Sequence, residues 1–112
     1  MYYVGMILNR SVAVYVPSNS QGHKFDNRPT VRKVSKELAR LFGGSTSYQA
    51  RGSWLNDKGR LINEDITIVK SYCNQALFAK YKKQVIRLGN SLKHDLNQDA
   101  ISLEFNNTLR II

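Results

Sequence analysis

Two stretches of this sequence carry their apolar residues on one side only, at helical spacing. Val31, Val34, Leu38 and Leu41, with Phe42 beside it, recur at steps of three and four, as do Leu77, Tyr81, Val85, Leu88, Leu92 and Leu96. A period of 3.6 residues places each set on one stripe of an α-helix. A helix that is apolar on one stripe has to lay it against another layer. The first helix has Pro29 in its first turn, where the missing N–H costs nothing, and Asn27 upstream as a candidate cap. Gly43-Gly44 ends it, since glycine accepts the left-handed conformation after the last turn. The second helix is expected to start after Asn74, a good N-cap, and to run to about Asn97. Gly89 inside it costs about 1 kcal/mol relative to alanine, which a close packing contact or a ligand would justify.

The remaining apolar segments are strand-like. Ser11–Val16, "SVAVYV", alternates and is rich in β-branched residues, and Pro17 closes it. "TSYQARGSWL" and "RLINEDITIVKSYC" flank Asn56-Asp57-Lys58-Gly59 and read as a β-hairpin. "AISLEF", "NNT" and "LRII" read as strand, turn and short strand. "MYYVGMILNR" lacks a basic start and a small-residue cleavage site, and is read as a strand and not as a signal peptide. "SNSQGHKFDNRP" is a polar loop, long enough to be functional or mobile. The order β-α-β-β-α-β predicts an α+β fold, an antiparallel sheet with two helices on one face, ferredoxin-like or related, with strand order left open. The length of 112 residues suits one domain, 1–112.

The net charge of +9 points to anionic partners: nucleic acid, a nucleotide or an anionic surface. Apolar runs are too short for a membrane span. A single cysteine, Cys73, excludes an intramolecular disulfide and fits a reducing cytosol. No catalytic constellation is legible. The eight acids are scattered, and the adjacent pair Glu64-Asp65 would point to opposite faces of a strand. His23 and His94 have no metal-ligand spacing, so neither a metal nor a cofactor is expected. No lysine of the P-loop kind follows the glycines. These readings favour a binding module over an enzyme. Arginine forks, glycine-exposed N–H groups and the hydroxyls of Ser45, Thr46 and Ser47 would hold phosphate. Trp54, Tyr48, Tyr72, Phe78 and Tyr81 are candidate base platforms, the plainer reading of each being core.

"VYVPSN", then "LFGGSTSYQARGSWLNDKGRLINEDITIVKSYC", then a long helix and "SLEFNNTLRII", resembles the first-described family of small phage proteins that counter the Thoeris defence system. The likeness runs over almost the full chain. It implies a sponge in the cytoplasm of an infected bacterium. Such a protein binds a cyclic ADP-ribose isomer made by a TIR-domain enzyme and holds it without cleavage; some members also take cyclic oligonucleotides. It implies a homo-oligomer, a dimer or a trimer of dimers, with sites where protomers meet. By pattern, its phosphate-binding arginines would fall on Arg28 and Arg110 and its helix contacts on Phe78 and Asn90, while the turn itself offers Gly44, Ser45 and Thr46 as further ligand-binding candidates through N–H and hydroxyl groups. Two alternatives stand beside it: a nucleic-acid binder that uses the basic helix faces, and a small hydrolase of the same signals.

Overall fold

The computed structural model describes residues 4–112. Its elements are β1 (Arg10–Pro17), β2 (Asn19–Ser20), β3 (His23–Lys24), α1 (Arg28–Phe42), β4 (Thr46–Leu55), β5 (Leu61–Cys73), α2 (Gln75–Asp95), β6 (Ser102–Phe105) and β7 (Thr108–Ile111). Among the described residues five strands form one antiparallel sheet in the order β4-β5-β1-β6-β7. This is the expected α+β arrangement, with the order of a split βαβ fold extended by one edge strand.

Alternation along β1 sets the two faces. Val12, Val14 and Val16 are fully buried and join Val34 and Leu38 of α1, Val85 and Leu92 of α2, and Val69, Leu103 and Phe105 in one core. Both helices therefore lie on the face to which these residues point. The opposite face carries Ala13 and Tyr15 of β1, with Ile68 and Lys70 opposite them on β5 and Glu104 beside Ala13 on β6. Among the described residues no helix covers that face.

Local chemistry explains the boundaries. Gly43 takes the left-handed conformation (φ 97°) and closes α1. Asn74 caps α2 by accepting a hydrogen bond from the Leu77 N–H at 2.9 Å. Asn27, by contrast, does not cap α1 with its side chain. Its amide donates to the Val16 carbonyl and the Thr67 hydroxyl, and Asp26 accepts from the Arg28 N–H instead. Asn106 and Asn107, both at positive φ, make the tight turn between β6 and β7. The long polar loop contains the small β2–β3 hairpin, turned at Gln21 and Gly22. The N-terminal strand expectation fails over residues 4–9, while Met1–Tyr3 lie outside the described residues. Gly5 sits at φ 79°, which breaks an extended run, and Val4, Met6 and Ile7 stay exposed.

Gly89 is explained by packing. A Cβ there would stand 2.9 Å from Ile112 Cδ1 and 3.2 Å from both Leu103 methyls. The glycine lets α2 approach β6 and the C-terminal residue closely. Gly89→Val should cost about 1–3 kcal/mol through overpacking, and Asn74→Ala about 1 kcal/mol through loss of the cap. Urea unfolding of each variant checks both; an unchanged midpoint for Gly89→Val would contradict the close approach.

Candidate functional site

Register places β4, β5, β1 and the β6–β7 hairpin so that one set of side chains shares the uncovered sheet face. Trp54 faces Ile62, Gly52 faces Glu64, Ala50 faces Ile66, and Tyr15 faces Ile68. Tyr48, Trp54 and Tyr72 are each about half exposed on it, as is Leu109 of β7. A cavity of about 500 Å³ opens there, walled by Tyr15, Trp54, Glu64 and Ile66, with Gln98 and Ser102 at the other side. Aromatic and aliphatic walls with a few polar groups are what a small-molecule site needs.

Two groups in this cavity are electrostatically unusual. Burial raises the Glu64 carboxyl above the ordinary glutamate value. The Tyr15 phenol is pushed up to about 12, first by burial and then by its hydrogen bond to the Glu104 carboxylate, to which it donates. Asp65, next in sequence, points the other way and pairs with Arg51 across the hairpin at 3.1 Å. The sequence expectation that Glu64 and Asp65 do not converge therefore stands. What the sequence did not show is Glu64 sharing its cavity with Tyr15, which holds Glu104 from a third strand.

The ligand-binding candidates of the sequence, from the Thoeris resemblance and from the glycine turn, are distributed. Phe78 and Arg110 come together in another cavity, of about 490 Å³, with Lys82, Phe105, Asn106 and Thr108. Lys82 lies over the rings of Phe78 and Phe105, at 5.6 and 5.2 Å. Asn90 is exposed, twelve residues further along α2, or about 18 Å at helical rise. Arg28 starts α1 and is held by Asp26 at 2.9 Å, whereas Gly44, Ser45 and Thr46 follow its far end. The Ser45 hydroxyl donates to the Ser35 carbonyl and the Gly44 carbonyl accepts from the Ser71 hydroxyl, so both groups make internal bonds. Cys73 is buried, and its thiol is pushed up by that burial.

No protein-family model and no curated protein matches the chain. Solved structures do. The fold is shared with a phage SAM lyase in complex with S-methyl-5'-thioadenosine: TM-score 0.72 at 16% identity, covering 98% of this chain and 95% of that one. A phage SAM lyase in the apo state matches at TM-score 0.65 and 16% identity, over 100% of this chain and 94% of that one. At such identity the likeness is one of fold. It corrects one expectation from the sequence. Both neighbours are named as enzymes, which overturns the reading of this chain as a non-catalytic binder. Local pairs of acids in the sequence are no guide here, because the fold brings Tyr15 and Glu64 from two strands to one cavity and ties Tyr15 to Glu104 on a third. A missed signal existed in β5. Glu64 interrupts the alternating set Ile62, Ile66, Ile68, an acid standing at an apolar position of a period-two pattern. The neighbours leave the Thoeris resemblance supported only in outline, as the fold of a phage protein that in one case holds an adenosine derivative. Among the described residues no helix is long and apolar enough to cross a membrane.

The raised values fix signs for pH dependence. Tyr15 ionises near 10.0 when unfolded and near 12 when folded, so its contribution is complete below pH 10 and is lost as pH rises from 10 to 12. Glu64, raised from 4.5, contributes fully only below that pH, and at neutral pH its charge destabilises the fold. Glu64→Gln should therefore raise Tm at pH 7 and lose that advantage below pH 4.5. Tyr15→Phe should remove the last step of an ultraviolet phenolate titration. Equal Tm for Glu64→Gln and wild type at pH 7 would contradict the placement of Glu64.

Proposed function

We propose that this protein is a lyase acting on S-adenosylmethionine, or a close sulfonium nucleoside, in the cavity on the uncovered sheet face. The observation that carries the reading is a partly desolvated carboxyl group, Glu64, set among aromatic and aliphatic walls in a fold shared with two solved SAM lyase structures. The substrate offers three features that this lining suits. Its adenine is a flat apolar surface for Trp54 or Tyr15. Its ribose hydroxyls suit Gln98 and Ser102 as hydrogen-bond partners. Its sulfonium is a cation, and a carboxylate already short of solvent gains most from an opposite charge nearby.

The chemistry asks little of the protein. The substrate's own carboxylate oxygen attacks the methionyl γ-carbon as the bond from that carbon to sulfur breaks, and the bond pair leaves on sulfur. The products are neutral methylthioadenosine and a four-carbon lactone, with no water, metal or redox partner consumed. An internal displacement needs the substrate held in a folded conformation and its charges managed. No nucleophile–base pair is required, which accounts for the missing local motif. Incubating the protein with S-adenosylmethionine should give methylthioadenosine and the lactone by mass spectrometry. Glu64→Gln should remain folded yet react about a hundredfold or more slowly. No product from the wild-type chain, or full activity in Glu64→Gln, would contradict the assignment.

The site also bears on assembly. Among the described residues no third strand flanks the β4–β5 hairpin beyond the Pro17–Ile66 pair, so its tip stands as a two-stranded arm. Such an arm is marginal alone. It carries Trp54, Leu55 and Leu61 more than half or about half exposed. A homo-oligomer in which the arm of one copy covers the open face of another would bury these residues and close the cavity. Leu55→Asp with Leu61→Asp should shift the molecular mass in light scattering to that of one chain and weaken turnover; an unchanged mass would contradict the arm's role.

A second reading is favoured by the meeting of Phe78 and Arg110 with Lys82 in one cavity. A phosphorylated nucleotide such as a cyclic ADP-ribose isomer would stack on Phe78 and pair with Arg110 there. The arginine variant Arg110→Ala separates the two readings, because it would weaken nucleotide binding and leave cleavage of S-adenosylmethionine intact.

A further inference from the structure

The positive charge of this chain is concentrated on its helix layer, away from the proposed catalytic face. Of seventeen lysines and arginines, ten lie on α1 and α2; of eight acids, only Glu37 and Asp95 do. Between the two helices runs a groove of about 530 Å³, lined by Lys33, Lys36, Glu37 and Arg40 of α1 and, among others, by Arg87 and Leu88 of α2. Arg40 is engaged with Glu37. Among the described residues Lys33, Lys36 and Arg87 enter no ion pair. Lys33, Lys36 and Arg40 recur at i, i+3 and i+7, so they form a row about 10 Å long along one wall. Arg87 stands on the opposite wall.

We propose that this groove is a second binding site, for the phosphodiester backbone of a nucleic acid. A row of that length spans two or three successive phosphates of an extended strand. Cations on both walls would neutralise them and release their counterions. The groove holds no aromatic side chain, so bases have no platform there and recognition is indifferent to sequence. An anionic membrane is a poorer fit. Among the described residues the helix face offers no exposed large apolar side chain to insert, since those lie on the sheet face, the hairpin tip and the N-terminal segment. The site is independent of the proposed lyase reaction, and it gives the basic helix face a role that the cavity on the sheet face leaves unexplained.

The test is fluorescence anisotropy of a labelled single-stranded RNA and of a labelled duplex DNA with the full chain, across a salt series. Vesicles of phosphatidylserine and phosphatidylcholine serve as the competing surface. The variant is Lys33→Ala/Lys36→Ala/Arg87→Ala, which changes only exposed side chains and should retain the wild-type circular dichroism spectrum. Binding should be similar for unrelated sequences. For the single strand the variant should lower the slope of log K against log salt by about 2, at roughly 0.7 per lost phosphate contact. Affinity at low salt should fall at least about tenfold. If the duplex alone responds, the phosphate site stands and its ligand is double-stranded. Equal affinity and slope for variant and wild type, or binding to vesicles without binding to either oligonucleotide, would overturn the proposal.

Discussion

β1 sits in the middle of the sheet with a different environment on each side of every residue. Val12, Val14 and Val16 point into the layer between sheet and helices, where each is fully buried. This alternation fixes register with β5 and β6, because a slip of one residue would turn the valines outward. It also fixes what the chain leaves open. Two one-sided helices cover one face of the sheet, and among the described residues no helix covers the other. The residues on that second face, Tyr15, Trp54 and Glu64 among them, are therefore gathered as a consequence of the same packing that builds the core.

Charge follows the same division. The helices turn an apolar stripe inward and a basic surface outward, and the bare sheet face holds few charges, with carboxylates prominent among them. One of these, Glu104, is engaged by the Tyr15 phenol. The other, Glu64, is short of solvent and keeps an elevated proton affinity. A group that reduces stability at neutral pH is retained most readily where it serves a ligand. The two surfaces are thus chemically distinct: a hydrophobic, weakly acidic cavity suited to a cationic nucleoside, and a basic groove suited to phosphates.

Much of the architecture was legible because it depends on local rules. The stripes of α1 and α2, the Gly43 stop, the Asn74 cap and the hairpin at Asn56–Gly59 are all short-range chemistry. Gly89 was legible as a cost, and only the approach of Leu103 and Ile112 showed what it permits. The site was less legible because its members are far apart in sequence. Tyr15 and Glu104 are 89 positions apart, and only strand order makes them partners. The glycine pair and the hydroxyls after it suggested a phosphate cradle, yet Ser45 and Gly44 spend their polar groups on Ser35 and Ser71. Scattered acids give no sign that Glu64 shares a cavity with Tyr15, since a sheet face assembled from several strands has no linear signature. The N-terminal segment was read from its apolar content alone, which carries no information about whether a strand partner exists.

The central claim is that the uncovered face binds an adenosine sulfonium or its thioether product. The chain has one tryptophan, Trp54, and it stands in that cavity. Intrinsic fluorescence therefore reports on this site and no other indole. Titration with S-methyl-5'-thioadenosine should produce a saturable shift of the Trp54 emission with one endpoint, matched by heat in calorimetry and lost in Tyr15→Ala. An emission spectrum that stays unchanged at saturating ligand, with or without heat, would place the ligand elsewhere or nowhere and contradict the account.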